Sequence, residues 1–253
     1  MIVSITNQKG GVGKTTTAVN LSAALAHAGK KTLLLDLDPQ GNATSGLGET
    51  KQRAGIYEVL LSGLPVGDAV LPTATENLFL LPANTSLSGA TVEMVALAKR
   101  ESLLKNALAP IREAYDYILI DCPPSLDLLT VNAFTASDSV LVPIQCEFYA
   151  LEGLGQLIRT VRLIQQRLNP ALTVNGVVCT MYDSRTNLSE QVVQEVKKYF
   201  AGKVYAARIP RNVRLAEAPS YGVPIQSYDA YCSGALAYDA LCREFLQRSE
   251  EKA

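Results

Sequence analysis

Residues 8–16 read Gln8-Lys9-Gly10-Gly11-Val12-Gly13-Lys14-Thr15-Thr16, directly after an apolar run at 2–6 and directly before a stretch of helical period at 15–28. Glycines let a backbone turn its N–H groups toward one point, and a helix beginning there adds partial positive charge. In such a loop Lys14 is placed to reach the β- and γ-phosphates of a nucleotide, and the Thr15 hydroxyl to ligate Mg²⁺. The strict pattern GxxxxGK[ST] asks for glycine at position 8, where this chain has Gln8. Strand, glycine loop, Lys-Thr and helix are nevertheless all in place. Lys9 opens the loop; lysines are usually solvated surface charges, but this one directly precedes Gly10-Gly11, where a second cation would neutralise phosphate.

Outward from the loop, short β-branched or Leu-rich runs alternate with longer segments of helical period. Strands are expected at 2–6, 32–36, 78–81, 117–121, 139–144, 173–180 and 204–208. Helices are expected at 15–28, 99–109, 126–136, 151–168, 189–200 and 234–247. Several of the strand runs are apolar without alternation, as in strands covered on both faces. The pattern predicts an α/β fold: a doubly wound, mostly parallel sheet with helices on both faces, whose ligands sit at the carboxyl ends of the strands. No linker, repeat or low-complexity tract divides the 253 residues, so one domain over 1–253 is expected.

Composition narrows the chemistry. Lys+Arg 23 against Asp+Glu 24 gives a net charge of −1, which excludes a uniformly cationic protein but not a local basic patch. The single histidine, His27, argues against a multi-histidine metal site or a His-dependent triad. Five scattered cysteines (Cys122, Cys146, Cys179, Cys232 and Cys242) form no CxxC pair and read as reduced, mostly buried thiols. The first residues have neither a basic segment nor a cleavage site, and no apolar stretch approaches the ~20 residues of a membrane span. A cytoplasmic location is expected.

Carboxylates mark the ends of the second and fourth expected strands. Asp36 and Asp38 lie two apart, on one face if the strand persists; a turn before Pro39 is the plainer reading of Asp38. Asp121 ends an apolar strand, where an unpaired carboxylate is costly without a cation. A helix-capping role for it is disfavoured by the intervening Pro123-Pro124-Ser125.

These motifs together resemble the ParA/MinD family of deviant Walker A ATPases. KGGVGKTT (9–16) is similar to the family's phosphate loop, DLDPQGN (36–42) to its switch segment and YILIDCPP (117–124) to its Walker B strand. QCEFYALEG (145–153) and IPRNVRL (209–215) resemble the Soj-type chromosomal ParA proteins. The resemblance runs from residue 1 to about 247. It implies an Mg²⁺-dependent ATPase, slow unless a partner stimulates it, with ATP held by 9–16 (Lys9, Gly10, Gly11, Val12, Gly13, Lys14, Thr15, Thr16). It gives Thr15 to the metal directly, and Asp36 and Asp121 to it through water. It makes Lys9, Lys14 and Asp38 the catalytic set, with Asp38 orienting the attacking water and Lys9 reaching the triphosphate of a second subunit in an ATP-sandwich homodimer. Pro210 and Asn212 would meet the adenine, although a plain turn fits their composition equally well.

From 185 to 214 seven basic residues face only Glu190 and Glu195. Charge alone leaves a solvated helix face and a polyanion site equally open; the resemblance points to nonspecific double-stranded DNA, contacted by Arg185, Lys197, Lys198, Lys203, Arg211 and Arg214. It also implies a ParB-type centromere-binding partner, a nucleoid-associated location and a role in chromosome or plasmid segregation. The chain departs from the family at 230–234, where AYCSG stands in place of Pro-Arg-Ser-Arg-Gly and two positive charges are lost. A MinD-like membrane ATPase would need a basic amphipathic C-terminal helix, and the mixed-charge end RSEEKA offers none, so no stable membrane association is expected. An Fe–S reductase would need a partner for Cys122 at suitable spacing. A cargo-positioning ATPase acting on a protein assembly is the remaining alternative. With the first strand at residue 2, no N-terminal helix-turn-helix domain is expected.

Overall fold

The computed structural model describes residues 1–51, 54–147 and 154–250. Its strands are β1 (Ile2–Ile5), β2 (Thr32–Asp36), β3 (Leu71–Pro72), β4 (Leu78–Leu81), β5 (Tyr117–Asp121), β6 (Ser139–Gln145), β7 (Thr173–Tyr182) and β8 (Val204–Pro210). They join one sheet in the order β3-β4-β2-β5-β1-β6-β7-β8. Every pairing is parallel except that of the two-residue edge strand β3 with β4. All seven expected strands are present; β3 is too short to leave a periodic signal.

The central strands are apolar throughout because both faces are covered. Along β2, Leu33 and Leu35 enter one core while Leu34 enters the other; along β5, Ile118 and Ile120 oppose Leu119 in the same way. The helices Lys14–His27 and Ser233–Glu250 close one face through Leu21, Leu25, Tyr238, Leu241 and Phe245. Leu128–Ala136, Leu154–Arg167 and Asn187–Tyr199 close the other through Phe134, Leu157, Val161, Val193 and Val196. Each fully buried leucine contributes about 1.5–3 kcal/mol, enough to commit these runs to the sheet interior.

The helix expected at 99–109 breaks up. Lys99 adopts φ +53°, a 3₁₀ turn occupies Arg100–Ser102, and the helix proper is Leu103–Leu108. The helix expected at 151–168 is Leu154–Arg167, its first three residues lying outside the described set. Short helices such as Asn42–Gly46, Ile56–Leu61 and Leu87–Met94 were not legible at all. One contact between segments is made by bare main chain. Gly48 (φ +81°) and Gly222 (φ +67°) meet so closely that a Cβ on Gly222 would stand 2.6 Å from Gly48 Cα.

β1 lies where the strand order turns back, with β5 on one side and β6 on the other. In register, Ile5 is level with Asp121, and Asp121 with Asp36. The loop leaving β1 therefore opens beside two carboxylates, in the crevice where open parallel sheets bind their ligands.

Candidate functional site

The loop after β1 is built as a cradle. Gly11 (φ +74°) and Gly13 (φ +85°) take the left-handed conformation that L side chains resist, and Gly13 stands before the helix Lys14–His27 with no side chain capping it. A helix leaves its first N–H groups without intrahelical partners, so those of Lys14, Thr15 and Thr16 face the crevice with the loop amides. Space above Gly10 and Gly11 is open, with no atom near where a Cβ would lie. The cradle is pinned from outside. Thr180 Oγ1 donates to Val12 O at 2.8 Å, Asn7 Nδ2 to Pro143 O at 2.8 Å, and Lys9 N–H to Asn7 Oδ1 at 3.1 Å. Neither Asn7 nor Thr180 carries a signal in the sequence, since each acts across strands.

Lys14 is 7% exposed and curls back so that Nζ donates to Lys9 O at 3.1 Å. Burial lowers its pKa, while the nearby Asp121 and Asp38 pull it back up. Asp121, fully buried, completes no hydrogen bond through either carboxylate oxygen. Burial, then Asp36, drives its pKa well above the ordinary value; the facing Thr15 hydroxyl and Lys14 oppose this only in part. Asp127, six residues on, is the helix cap: it accepts from Leu129 N and Thr130 N. Capping therefore does not explain Asp121.

Asp36 is held firmly. Its Oδ2 accepts from Thr44 N at 2.8 Å and Thr44 Oγ1 at 2.7 Å, and its Oδ1 from Asp38 N at 3.2 Å. Burial nevertheless outweighs these bonds and pushes its pKa up to about 6. Asp38, 7% exposed, accepts from Gln40 N through Oδ1 at 3.0 Å and from Gly41 N through its carbonyl at 2.9 Å, so the Asp-Pro turn forms. Three carboxylates thus share one strand end with a single ammonium. Among the described residues no group of three acidic, histidine or cysteine side chains could hold an ion directly. A hard divalent cation, which takes oxygen ligands and keeps several waters, would meet these carboxylates through its waters, with the orphaned oxygens of Asp121 free to accept from them.

Beside the loop a cleft of about 260 Å³ is lined by Gly13, Thr16, Thr180, Met181, Pro210 and Asn212, among others. Its mixed lining suits a flat heteroaromatic ring. Asn212 is already engaged: Oδ1 caps the helix Val213–Glu217 by accepting from Arg214 N, and Nδ2 donates to Ser233 Oγ. One amide hydrogen remains for a ligand. Glu147, quoted in a motif but given no role by the sequence, bridges Lys9 (3.9 Å) and Arg211 (3.6 Å) at the cleft mouth. Residues 148–153 of that motif lie outside the described set.

The basic stretch does not form one patch. Arg185, Arg211 and Arg214 follow the carboxyl ends of β7 and β8. Lys197 and Lys198 end the helix Asn187–Tyr199, and Lys203 precedes β8. A seven-residue strand and a 13-residue helix each span roughly 20 Å. Carboxylates from outside the stretch also join it. Arg185 is clasped by Asp183 at 2.7 and 2.9 Å, driving that aspartate's pKa down to about 2, and Arg214 pairs with Glu217 at 2.9 Å and Asp229 at 3.6 Å. Arg208 is neutralised by Glu190 at 2.7 Å and stacks on Tyr182. As expected, all five cysteines are free thiols, four of them buried. Among the described residues no helix is long and apolar enough to cross a membrane.

Comparison with known proteins agrees with this architecture. A family model described as an AAA domain matches residues 1–174. The sporulation initiation inhibitor protein Soj of Bacillus subtilis is 58% identical over 245 residues, 96% of this chain and 97% of that protein. The chromosome partitioning protein ParA of Caulobacter vibrioides is 52% identical, covering 99% of this chain and 96% of its own length. Among solved structures, cobyrinic acid a,c-diamide synthase from Mycobacterium smegmatis with bound ADP and magnesium superposes with a TM-score of 0.88 at 38% identity, over 100% of this chain and 96% of that one. With its glycine cradle, strand-end carboxylates and near-full-length likeness to Soj and ParA, the chain belongs to the Soj-type branch of the ParA/MinD family of P-loop ATPases.

Proposed function

We propose that this protein is a single-domain partition ATPase, a switch that ATP converts from monomer to DNA-binding homodimer. The observation that carries this reading is the imbalance at the sheet's carboxyl edge: Asp121 orphaned, Asp36 and Asp38 beside it, and Lys14 alone against all three. A site so unbalanced is completed by Mg²⁺ and a triphosphate. Bound there, Mg²⁺ would offset the charge of the phosphates and of these carboxylates.

Lys14 and the amides of 10–16 bind the phosphates, and the Thr15 hydroxyl ligates the metal. Asp36 and Asp121 hold the waters around it. Asp38, on the rim of the same group, orients the attacking water. Lys9, whose side chain remains 35% exposed, is free to exchange Glu147 for the phosphates of a second subunit. Pro210 and Asn212 face the adenine. ATP shifts the equilibrium only through a higher affinity for the dimer, and the grip of Lys14 and the partner subunit's Lys9 on the γ-phosphate supplies that difference. Arg185, Arg211 and Arg214, on the same edge, contact DNA phosphates without reading sequence; Lys197, Lys198 and Lys203 extend the field from the far end. A ParB-type protein on a centromere-like site stimulates hydrolysis and releases the dimer, so the protein works in the cytoplasm on the nucleoid.

The test is binding to a random-sequence duplex with ATP, ADP or no nucleotide, comparing wild type, Lys9→Ala and Arg214→Ala. ATP-dependent binding that falls steeply with salt and is lost in both variants supports the reading. A wild-type protein that dimerises with ATP yet ignores DNA at low salt overturns the DNA part and leaves a cargo-positioning ATPase.

A further inference from the structure

A second concavity lies apart from the nucleotide cleft. A groove of about 1050 Å³ runs between the helix Leu154–Arg167 and the residues that end the helix Asn187–Tyr199 and follow it (Tyr199 to Lys203), over the start of β7. Its floor is apolar: Ile158, Val161, Val174 and Phe200. Its rim is cationic, with Arg159, Arg162 and Lys203, and among the described residues none that lines it is acidic. The helix that supplies both arginines, LGQLIRTVRLIQQR, contains no Asp or Glu. Its arginines therefore have no partner on their own helix, and none pairs with any described residue. Elsewhere arginines are routinely matched, as Arg112 is with Asp138, Arg185 with Asp183, Arg208 with Glu190 and Arg248 with Glu244.

We propose that this groove docks an acidic amphipathic helix of a protein partner. Arg159 and Arg162, three apart, stand on one helix face, and Lys203 lines the groove with them, so carboxylates along the flanks of a docked helix would meet all three. The apolar floor takes that helix's hydrophobic stripe, the usual helix-in-groove arrangement. The lining runs from Leu154 to Gln165, about 18 Å or three turns, the length of a short binding helix. Duplex DNA fits less well: its phosphates would meet the rim but leave Ile158, Val161, Val174 and Phe200 without apolar cover. Thr173, Val174 and Lys203 place one end of the groove at the amino ends of β7 and β8, and it shares no lining residue with the cleft beside the phosphate cradle. The proposal does not depend on the DNA role.

The probe is a fluorescein-labelled 18-residue helical peptide with leucines on one face and glutamates on the flanks, beside a counterpart with lysine for every glutamate. Anisotropy titrations use the full chain at about 50 mM salt, where surface charge is weakly screened. The glutamate peptide is expected to bind at least ~10-fold tighter than the lysine peptide, the scale of a few desolvated charge pairs. Arg159→Glu/Arg162→Glu should erase that preference or reverse it, and Ile158→Asp should weaken both peptides. Unchanged melting curves and basal ATP turnover for the charge-reversed protein keep misfolding out of the result. Failure of the glutamate peptide to bind, equal binding of the two peptides, or a preference that survives charge reversal overturns the proposal. So does a charge-reversed protein that keeps the peptide and loses duplex DNA, which would make the groove a nucleic-acid contact.

Discussion

At the ends of β2 and β5 three carboxylates are buried against one ammonium, whereas past the ends of β7 and β8 the arginines are exposed and matched. Asp121 has no hydrogen bond on either oxygen; Arg214 has Glu217 and Asp229, and Arg185 has Asp183. The difference teaches how each region meets a ligand. Buried charge without a partner is costly, so the first region stores an unmet demand that a cation and phosphates relieve. Exposed ion pairs contribute only about 0–1 kcal/mol, so the second region can exchange its carboxylates for other anions at little cost.

The contrast predicts unequal sensitivity to substitution. Lys14→Ala removes the only buried counter-charge among the described residues, and nucleotide binding measured by calorimetry should fall below detection, with turnover lost. Asp38→Ala should keep ATP affinity within a few fold while single-turnover hydrolysis drops about 10²–10⁴-fold, the range for a positioned acid or base. Near-normal hydrolysis in that variant would return Asp38 to a turn residue.

The third expectation concerns pH. Asp36 and Asp121 have folded pKa values above those of the unfolded chain, so between the unfolded value and the folded one the folded state binds more protons. Stability from these groups is full below about pH 4 and is lost as pH rises through about 6 for Asp36, and through the raised folded value of Asp121. The nucleotide-free protein should therefore melt several degrees lower at pH 7.5 than at pH 5, since 1 kcal/mol moves Tm by roughly 2–4 °C at this size. Asp121→Asn should flatten that slope and raise the nucleotide-free Tm, while weakening Mg²⁺-dependent nucleotide binding. A flat pH profile in the wild type would mean that the carboxylates are better satisfied than their geometry indicates.

The smallest effect belongs to the surface. Arg214→Ala should leave folding nearly unchanged, as for exposed ion pairs generally, yet weaken duplex binding about 10-fold and lower the salt slope by about one. If it unfolded the protein as readily as Lys14→Ala, the contrast between the two regions would collapse.

What the sequence made legible was local. Runs such as Thr32–Asp36 and Tyr117–Asp121 declare buried strands by themselves, and the glycines of 10–13 declare a cradle. What escaped was set by folding across distance. Thr180 reaches Val12 from 168 residues away, and Thr44 takes hold of Asp36 through a five-residue helix too short to show a period. The count of positive charge at 185–214 omits part of its surroundings for the same reason: Asp183, Glu217 and Asp229 stand outside the stretch and fold back on it. Glu147 lay in plain view, but only Lys9 and Arg211 arriving from two other loops give it a role.

The Gly48–Gly222 contact sets a rule for how this protein can change. It fastens the segment after Asp38 to the segment after Arg214 through main chain on both sides, with φ values that any other residue resists. Because the obstruction to a larger residue is backbone, no altered side chain elsewhere can make room for it. A genetic screen should find alanine at either position harmful, and should recover relief only by reversion or by a change in loop length. In laboratory evolution these two positions behave as one inherited unit.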